Sequence, residues 1–354
     1  MKTMITTLSI LTTLTTLATL SSGNACAQGA GNVTVYGLFD AAVRYASNAS
    51  ANRSSLKTME DGIFTGTRLG FRGREELGGG LMALFTLESG FDPGTGASLQ
   101  GTAVADYGQA AASPRFWGRE IHVALRGNWG SVTLGRQYTV AHSISGRFHP
   151  LSNTNSVVHS LFASHHGVRQ DNVVRLDTRL AGVDLTAAYA LGEQVTSSAN
   201  GTWAVGAGYT AGALSLGGYV QQMKSLAGTE TRKIIGAGGN FKLNNTFALF
   251  GGVMQRTTAV SPQENLAFTL GTNIELSPSV TLSLAHSDDQ QSGSAALDGS
   301  RTVSWAAASY RFSRRTDVYA VIDTNRVFGG YTRPAFMGTK GTQTGAAAGL
   351  RHRF

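Results

Sequence analysis

Apolar and polar residues alternate with a period of two from Gly31 to the end of the chain. In residues 33–45 the odd positions are mostly apolar, whereas Asp40 and Arg44 share the opposite face. Because successive side chains of a β-strand point to opposite sides, such segments predict strands with one apolar and one polar face. The same pattern recurs in residues 183–189, 266–271 and 280–284.

The connections between these segments are of two kinds. Seven are short and rich in turn-forming residues, at residues 78–80, 128–130, 181–182, 211–212, 244–245, 277–278 and 313–315. Eight are long and polar, at roughly residues 46–64, 92–115, 139–169, 192–201, 222–232, 256–265, 287–300 and 325–342. Short and long connections alternate strictly, so these fifteen joins predict sixteen antiparallel strands.

An even number of strands with short turns at one end and long loops at the other is typical of a transmembrane β-barrel. No run approaches the roughly 18–20 apolar residues of a spanning helix, which excludes a helical membrane bundle. Charged residues make up only 14% of the chain, which also argues against disorder. A sixteen-stranded barrel is too wide for side chains to fill, so its polar face should line water. A soluble all-β protein is the alternative.

The first 27 residues predict a cleaved secretory signal. Met1-Lys2 is a short positive region, residues 5–20 are moderately apolar, and Ala25-Cys26-Ala27 provides small residues for cleavage. The alternatives are an amphipathic helix and a lipoprotein cysteine at Cys26. The expected domains are therefore residues 1–27, removed on export, and residues 28–354, a single barrel without cysteine or disulfides.

The sequence contains no convincing catalytic constellation. Ser54–Lys57 matches S-x-x-K but lies in a polar loop without companion motifs, and neither G-x-S-x-G nor H-E-x-x-H occurs. We therefore expect no enzymatic activity, no cofactor and no metal. The pI of about 9.8 raises a nucleic-acid-binding protein as an alternative, but the charge is spread without a basic run, and we expect no such partner.

Several motifs together resemble the general porins of Gram-negative outer membranes. They are Val35-Tyr36-Gly37, residues 67–73 (TRLGFRG) with 75–80 (EELGGG), residues 116–119 (FWGR), residues 135–138 (GRQY) and the terminal residues 350–354 (LRHRF). The resemblance covers essentially the whole chain after the signal. It implies a homotrimer in contact with outer-membrane lipid and lipopolysaccharide, a third loop folded into the pore, and a terminal Phe354 read by the barrel-assembly machinery.

Side-chain parity and the resemblance together select candidate pore residues. Parity points inward for five lumen-facing candidates, Asp40, Arg44, Arg72, Glu88 and Arg175. The resemblance places constriction arginines at Arg68, Arg136 and Arg169, with Arg119 as a fourth. Parity agrees for Arg68 and Arg169 but not for Arg119 and Arg136, which could be re-aimed by a bulge beside Gly118 or Gly135.

The third loop departs from the family pattern. Residues 140–169 contain no Asp or Glu, whereas porins of this type place acidic residues opposite the arginines. The loop instead carries five histidines, His142, His149, His159, His165 and His166, which we interpret as pore-facing or loop-packing groups, with a metal site as the alternative.

We therefore expect a water-filled channel for passive diffusion of ions and small hydrophilic solutes, which favours anions. Acids such as Glu88, Glu120, Asp177 and Asp184 would oppose that preference if they lie near the constriction. The alternative is a substrate-specific channel for small anionic solutes.

Overall fold

A computed structural model describes residues 32–101, 105–110, 114–156, 158–159, 161–195 and 198–354, so the predicted signal segment lies outside the described residues. The described part contains eighteen strands and two short helices. The strands are β1 (Asn32–Ala46), β2 (Leu56–Asp61), β3 (Arg68–Gly78), β4 (Leu81–Phe91), β5 (Ser98–Leu99), β6 (Glu120–Gly127), β7 (Gly130–Tyr138), β8 (Arg169–Leu180), β9 (Val183–Ala190), β10 (Thr202–Ala211), β11 (Leu214–Lys224), β12 (Thr231–Lys242), β13 (Phe247–Thr258), β14 (Glu264–Ser277), β15 (Val280–Ser292), β16 (Gly299–Arg311), β17 (Thr316–Gly329) and β18 (Thr342–Arg353). The helices are α1 (Val140–Ser145) and α2 (Leu161–His166).

The strands form one closed antiparallel wall in which β18 pairs back onto β1. Both β2 and β3 pair with β1, at its two ends, so together they form a single strand of the wall. The two-residue β5 lies in the second long loop and leaves the wall complete through the pairing of β4 with β6. The wall therefore has sixteen strands, which confirms the predicted fold.

The interruption of the second wall strand differs from the sequence expectation of a single loop over residues 46–64. Ile63 and Phe64 turn inward and are buried, and the Ile63 amide donates to the Tyr319 hydroxyl over 3.0 Å. The Phe64 ring stacks on the ring of Tyr319 with centroids 4.1 Å apart. This inward bend moves the polypeptide from the wall into the lumen.

Apolar side chains on the outside of the wall are solvent-exposed in the isolated chain, as a lipid-facing surface requires. On β1, Val33, Val35 and Val43 are exposed, whereas Asp40 and Arg44 on the opposite face are buried inside. Aromatic residues follow the same rule, and the side chains of Phe39, Tyr189, Trp203, Tyr209 and Phe268 are all exposed. This arrangement places the polar faces of the strands around the lumen.

The main apolar cluster lies inside the barrel, between the third long loop (residues 139–168, hereafter loop 3) and the wall. Ile144, Phe148 and Phe162 of loop 3 are buried with Ile234 and Met254 of β12 and β13. Thr139 caps α1 by accepting a hydrogen bond from the His142 amide over 3.0 Å. Burial of these side chains fixes loop 3 against one side of the lumen. In the described part of the chain, neither helix is long and apolar enough to cross a membrane.

Candidate functional site: an arginine-lined cavity

A cavity of about 1130 Å³ opens in the lumen between loop 3 and the wall; we call it the outer cavity. Its lining contains nine arginines but, among the residues that the structure describes, neither aspartate nor glutamate. The arginines are Arg68, Arg115, Arg119, Arg136, Arg169, Arg232, Arg256, Arg301 and Arg333. The side of loop 3 that faces the cavity contributes polar side chains without a carboxylate, among them Asn153, Asn155, Ser164, His142 and His165. The lining is therefore strongly electropositive.

All four candidate constriction arginines, Arg68, Arg119, Arg136 and Arg169, line this cavity. Arg136 reaches the cavity despite its unfavourable parity and lies at a bulge. The β7–β8 register shifts there, with Asp171 and Asn172 of β8 opposite Arg136 alone, and the preceding Gly135 has a φ of +127°. Arg119 immediately precedes β6 and is not bound by the parity of that strand. The Arg169 guanidinium lies over the Tyr138 ring, 4.4 Å from its centroid, which holds it at the cavity wall.

Glu88 is shared by two of these arginines. The Arg119 Nε donates to Glu88 Oε1 over 2.7 Å, and Arg68 Nη1 lies 3.6 Å from the same oxygen. The Tyr36 hydroxyl donates to Oε2 over 2.9 Å. Glu88 has no exposed surface, so it neutralises part of the arginine charge from behind and does not face the cavity.

A second carboxylate, Asp171, is shared in the same way. Arg136 Nη1 donates to Asp171 Oδ1 and Arg115 Nη2 to Oδ2, each over 2.7 Å. The Arg136 Nε also donates to the Gly118 carbonyl over 2.9 Å, which ties the second long loop to the wall. Two carboxylates are therefore paired with four arginines, so a net positive charge remains at the cavity lining.

The other side of the cavity holds arginines that the sequence analysis missed. Arg232 of β12 and Arg256 of β13 face the lumen there, and Arg333 of residues 330–341 also lines the cavity. None of the three has an ion-pair partner within the described residues. The signal that could have found Arg232 and Arg256 is parity, because each lies two positions from a buried residue, Ile234 and Met254. Their neighbour Asp289 is fully buried and bonded to His165, Asn265 and Tyr331.

Comparison with known proteins identifies the family. Residues 13–328 match the Gram-negative porin family. This chain belongs to that family. An outer membrane porin protein of Bordetella pertussis is 32% identical over 43% of the chain, and outer membrane porin protein 32 of Delftia acidovorans is 30% identical over 67%. The matched segments span 40% and 66% of those two relatives.

The fold comparison agrees with this membership. An anion-selective porin from Comamonas acidovorans superimposes with a TM-score of 0.75 at 23% identity, covering 92% of this chain and all (100%) of that structure. The protein is therefore an outer-membrane porin built on a sixteen-stranded barrel, and its family and fold indicate a channel. The outward apolar belt described above is the surface that such a barrel presents to lipid.

The five residues predicted to face the lumen differ in their contacts. Arg44 is buried in an ion pair, and the Asp40 Oδ1 accepts a hydrogen bond from the Tyr319 hydroxyl over 2.6 Å. Arg72 lies over the Tyr36 ring at 4.0 Å, and Arg175 is paired with Asp177 at 2.9 Å. Glu88 is buried behind the arginines as described.

The other acids considered at the sequence level are also held by neighbours. Glu120 contacts the His122 ring at 3.2 Å, and Asp184 lies near two arginines, Arg147 at 3.7 Å and Arg179 at 3.6 Å. Neither carboxylate lines the outer cavity. Pairing therefore reduces their opposition to the arginine field, although Glu120 is close enough to act on the charge of Arg169.

Most of the loop 3 histidines pack the loop against the wall of the porin. His165 Nε2 lies 2.6 Å from Asp289 and His159 Nε2 lies 3.5 Å from Asp323, both on the lumen side of the wall. Burial lowers the pKa of His149 and of His166 to about 4, so both are neutral at pH 7. Among the described residues, no group of three or more His, Cys, Asp or Glu is arranged to hold a metal ion.

Proposed function

We propose that this porin is a passive diffusion channel for small hydrophilic solutes that favours anions and catalyses no reaction. The observation that carries the proposal is the lining of the outer cavity, with nine arginines and no described acidic residue. Rings of like charge at a narrow point set ion selectivity, because they raise the local concentration of counter-ions and repel co-ions. The anion selectivity of the structurally similar Comamonas porin supports the same direction.

Within the cavity, Arg68, Arg119, Arg136 and Arg169 form the proposed constriction. Loop 3 lies against the opposite wall and, among its described residues, contributes no carboxylate to the cavity, so the field of these arginines is not cancelled across the gap. Cations passing this point meet an unopposed positive lining. Small anions instead meet guanidinium groups that are excellent partners for carboxylate, phosphate and chloride.

The test is the reversal potential of purified protein in a planar bilayer across a potassium chloride gradient at low salt, where screening is weak. We expect anion selectivity that weakens in the double variant Arg68→Ala/Arg169→Ala. Arg326→Ala is the matched control, because Arg326 is exposed on the outer face of β17. Cation selectivity of the wild type overturns the proposal, and an unchanged potential in the double variant overturns the assignment of these residues.

We also propose that the barrel is a homotrimer in contact with lipid and lipopolysaccharide. An apolar groove of about 710 Å³ on the outer face supports this, since it is lined by small and apolar residues of β1 and β16–β18, among them Ala41, Val43, Ala348 and Leu350. Light scattering of the detergent-solubilised protein should give three copies per particle, and a monomeric mass would contradict the assembly.

We further propose that the N-terminal 27 residues are removed on export and that Phe354 is read by the assembly machinery. Phe354 exchanges two backbone hydrogen bonds of 3.1 Å with Gly37, at the seam where the last strand meets the first. Phe354→Ala should lower the amount of folded barrel in outer membranes without changing synthesis. Equal amounts of folded wild type and variant would exclude this role.

A further inference from the structure

The wall opposite the proposed constriction carries a second group of arginines. Arg232 and Arg256, which we call the far-wall cluster, line the same outer cavity as Arg68, and Arg333 of the β17–β18 loop lines it as well. Within the sixteen-stranded wall, β3 belongs to the second strand and β12 is the tenth, so these strands are half the circumference apart. A solute in the cavity therefore has guanidinium groups on two sides.

The far-wall cluster is arranged by the register of β12 and β13. Arg256 pairs with Ile234, and Arg232 pairs with Thr258, so the two arginines are diagonal neighbours on the lumen face. The Arg232 guanidinium lies over the Tyr107 ring, 3.8 Å from its centroid. The Arg256 Nη2 donates to Gln263 over 3.2 Å. Both guanidinium groups are thereby held in place without an ionic partner.

The charge of this cluster is opposed from behind only indirectly, because His165 lies between Arg256 and Asp289, with its Nδ1 3.4 Å from Arg256 Nη1. Asp289 is the nearest wall carboxylate, and its oxygens are occupied by His165 Nε2 at 2.6 Å, the Tyr331 hydroxyl at 2.5 Å and Asn265 at 3.0 Å. It forms no ion pair with an arginine in the described part of the chain. This contrasts with the constriction side, where Glu88 and Asp171 are each shared by two arginines.

We propose that the far-wall cluster is a binding site for small organic or inorganic anions that carry two or more phosphate or carboxylate groups. A guanidinium pairs bidentately with one such group, and a second group on the same solute can reach the next arginine. Anions with a single phosphate or carboxylate group make one such contact only and pass with little retention. This inference rests on the proposed anion-favouring channel. It adds that the channel prefers oligoanions, which are anions with two or more phosphate or carboxylate groups.

The test is block of the chloride current by added anions at constant ionic strength and pH 8. Pyrophosphate and citrate are the probes for the phosphate and carboxylate classes, and orthophosphate is the single-group reference. We expect pyrophosphate or citrate to block at concentrations about tenfold lower than orthophosphate. The probe that blocks at the lower concentration identifies which class the site favours.

The double variant Arg232→Gln/Arg256→Gln should weaken the block by the better probe about tenfold. Lys233→Gln is the matched control, because Lys233 is the exposed neighbour on the outer face of β12. Arg333→Gln is a second variant in an exposed loop, where it does not affect closure of the barrel, and we expect a smaller loss of block.

Failure of this inference is separable from failure of the proposed function. Unchanged block in both arginine variants overturns the far-wall site, while an anion-selective reversal potential still supports the channel. Equal block by orthophosphate and by both probes overturns the oligoanion class. Cation selectivity of the wild-type channel overturns the proposed function itself, whatever the block.

Discussion

Arg44 and Asp323 form a buried, two-pronged ion pair across the seam of the barrel, with Nη1–Oδ2 at 2.6 Å and Nη2–Oδ1 at 2.9 Å. Arg44 is on β1 and Asp323 on β17, and β18 runs between them. The pair is possible because Gly345 of β18 lies under the guanidinium, where a Cβ would collide with Arg44 Nη2. His159 of loop 3 approaches the same carboxylate at 3.5 Å.

Asp323→Asn should destabilise the barrel strongly. The substitution leaves a buried guanidinium without its anion, which costs about 3–5 kcal/mol. The measurement is the midpoint of urea unfolding in detergent, followed by circular dichroism. Asp184→Asn is the control, since Asp184 forms only exposed ion pairs, which contribute about 0–1 kcal/mol. Equal midpoints for the two variants would show that the buried pair contributes little.

Which residues of a strand face the lipid and which face the lumen could be predicted from the sequence, because the alternation of apolar and polar residues determines it. Val35 and Val43 face out and Asp40 and Arg44 face in, as expected. The interruption at residues 62–67 could not be predicted, because Ile63 and Phe64 turn inward for a partner, Tyr319, that lies far away in the sequence.

For a related reason, only some of the arginines that line the cavity could be predicted from the sequence. Arg68 and Arg136 lie in recognisable motifs, whereas Arg232 and Arg256 are isolated residues near strand ends. Their proximity depends on the register of β12 against β13, and a shift by one residue would place one of them on the outer face. Sequence alone does not fix that register.

Removal of the carboxylate behind the constriction should raise anion preference. Glu88→Gln adds one unit of net positive charge beneath Arg119 and Arg68 while keeping a similar shape. In water, a unit charge about 7 Å from the ion path stabilises an anion by about 0.6 kcal/mol and destabilises a cation by the same amount, so the anion-to-cation permeability ratio should rise about eightfold. The ratio is obtained from reversal potentials at low salt. Glu76→Gln, at an exposed ion pair with Arg74, should leave it unchanged.

An identical anion-to-cation permeability ratio for Glu88→Gln and wild type would contradict this prediction. That result would place Glu88 too far from the ion path to matter. Because Arg119 loses its main partner, the folded fraction of the variant should be measured in parallel, and only folded protein used for the bilayer experiment.

Acidification should weaken the docking of loop 3. His166 is completely buried, with its Nδ1 2.8 Å from the Gly167 carbonyl, and burial lowers its pKa to about 4. An undocked histidine titrates near 6.5, so between pH 6.5 and 4 the undocked loop binds more protons than the docked loop. The contribution of His166 to the docking free energy is therefore complete above about pH 6.5 and is lost as the pH falls towards 4. Below pH 4 the titration of His166 causes no further change.

The measurement is single-channel current noise between pH 7 and 4. Wild type should show increasing flicker over this window, from a loss of up to about 3 kcal/mol of docking free energy. His166→Gln retains a donor for the Gly167 carbonyl but does not titrate, and its noise should vary less with pH. The same pH profile in variant and wild type would assign the effect to other groups, such as carboxylates.

Gly135→Ala should test whether the backbone conformation of Gly135, at the β7–β8 bulge, aims Arg136 into the cavity. Gly135 has a φ of +127°, and a Cβ there would collide with the carbonyl oxygen of Ile121. We expect a loss of about 1–3 kcal/mol in stability and, because the bulge must relax, a weaker anion preference as Arg136 leaves Asp171. Gly218→Ala is the matched control, since a Cβ at that position meets nothing closer than 3.5 Å. If folded Gly135→Ala protein keeps wild-type selectivity, the bulge is needed for closure of the wall and the aim of Arg136 is set by its hydrogen bond to the Gly118 carbonyl instead.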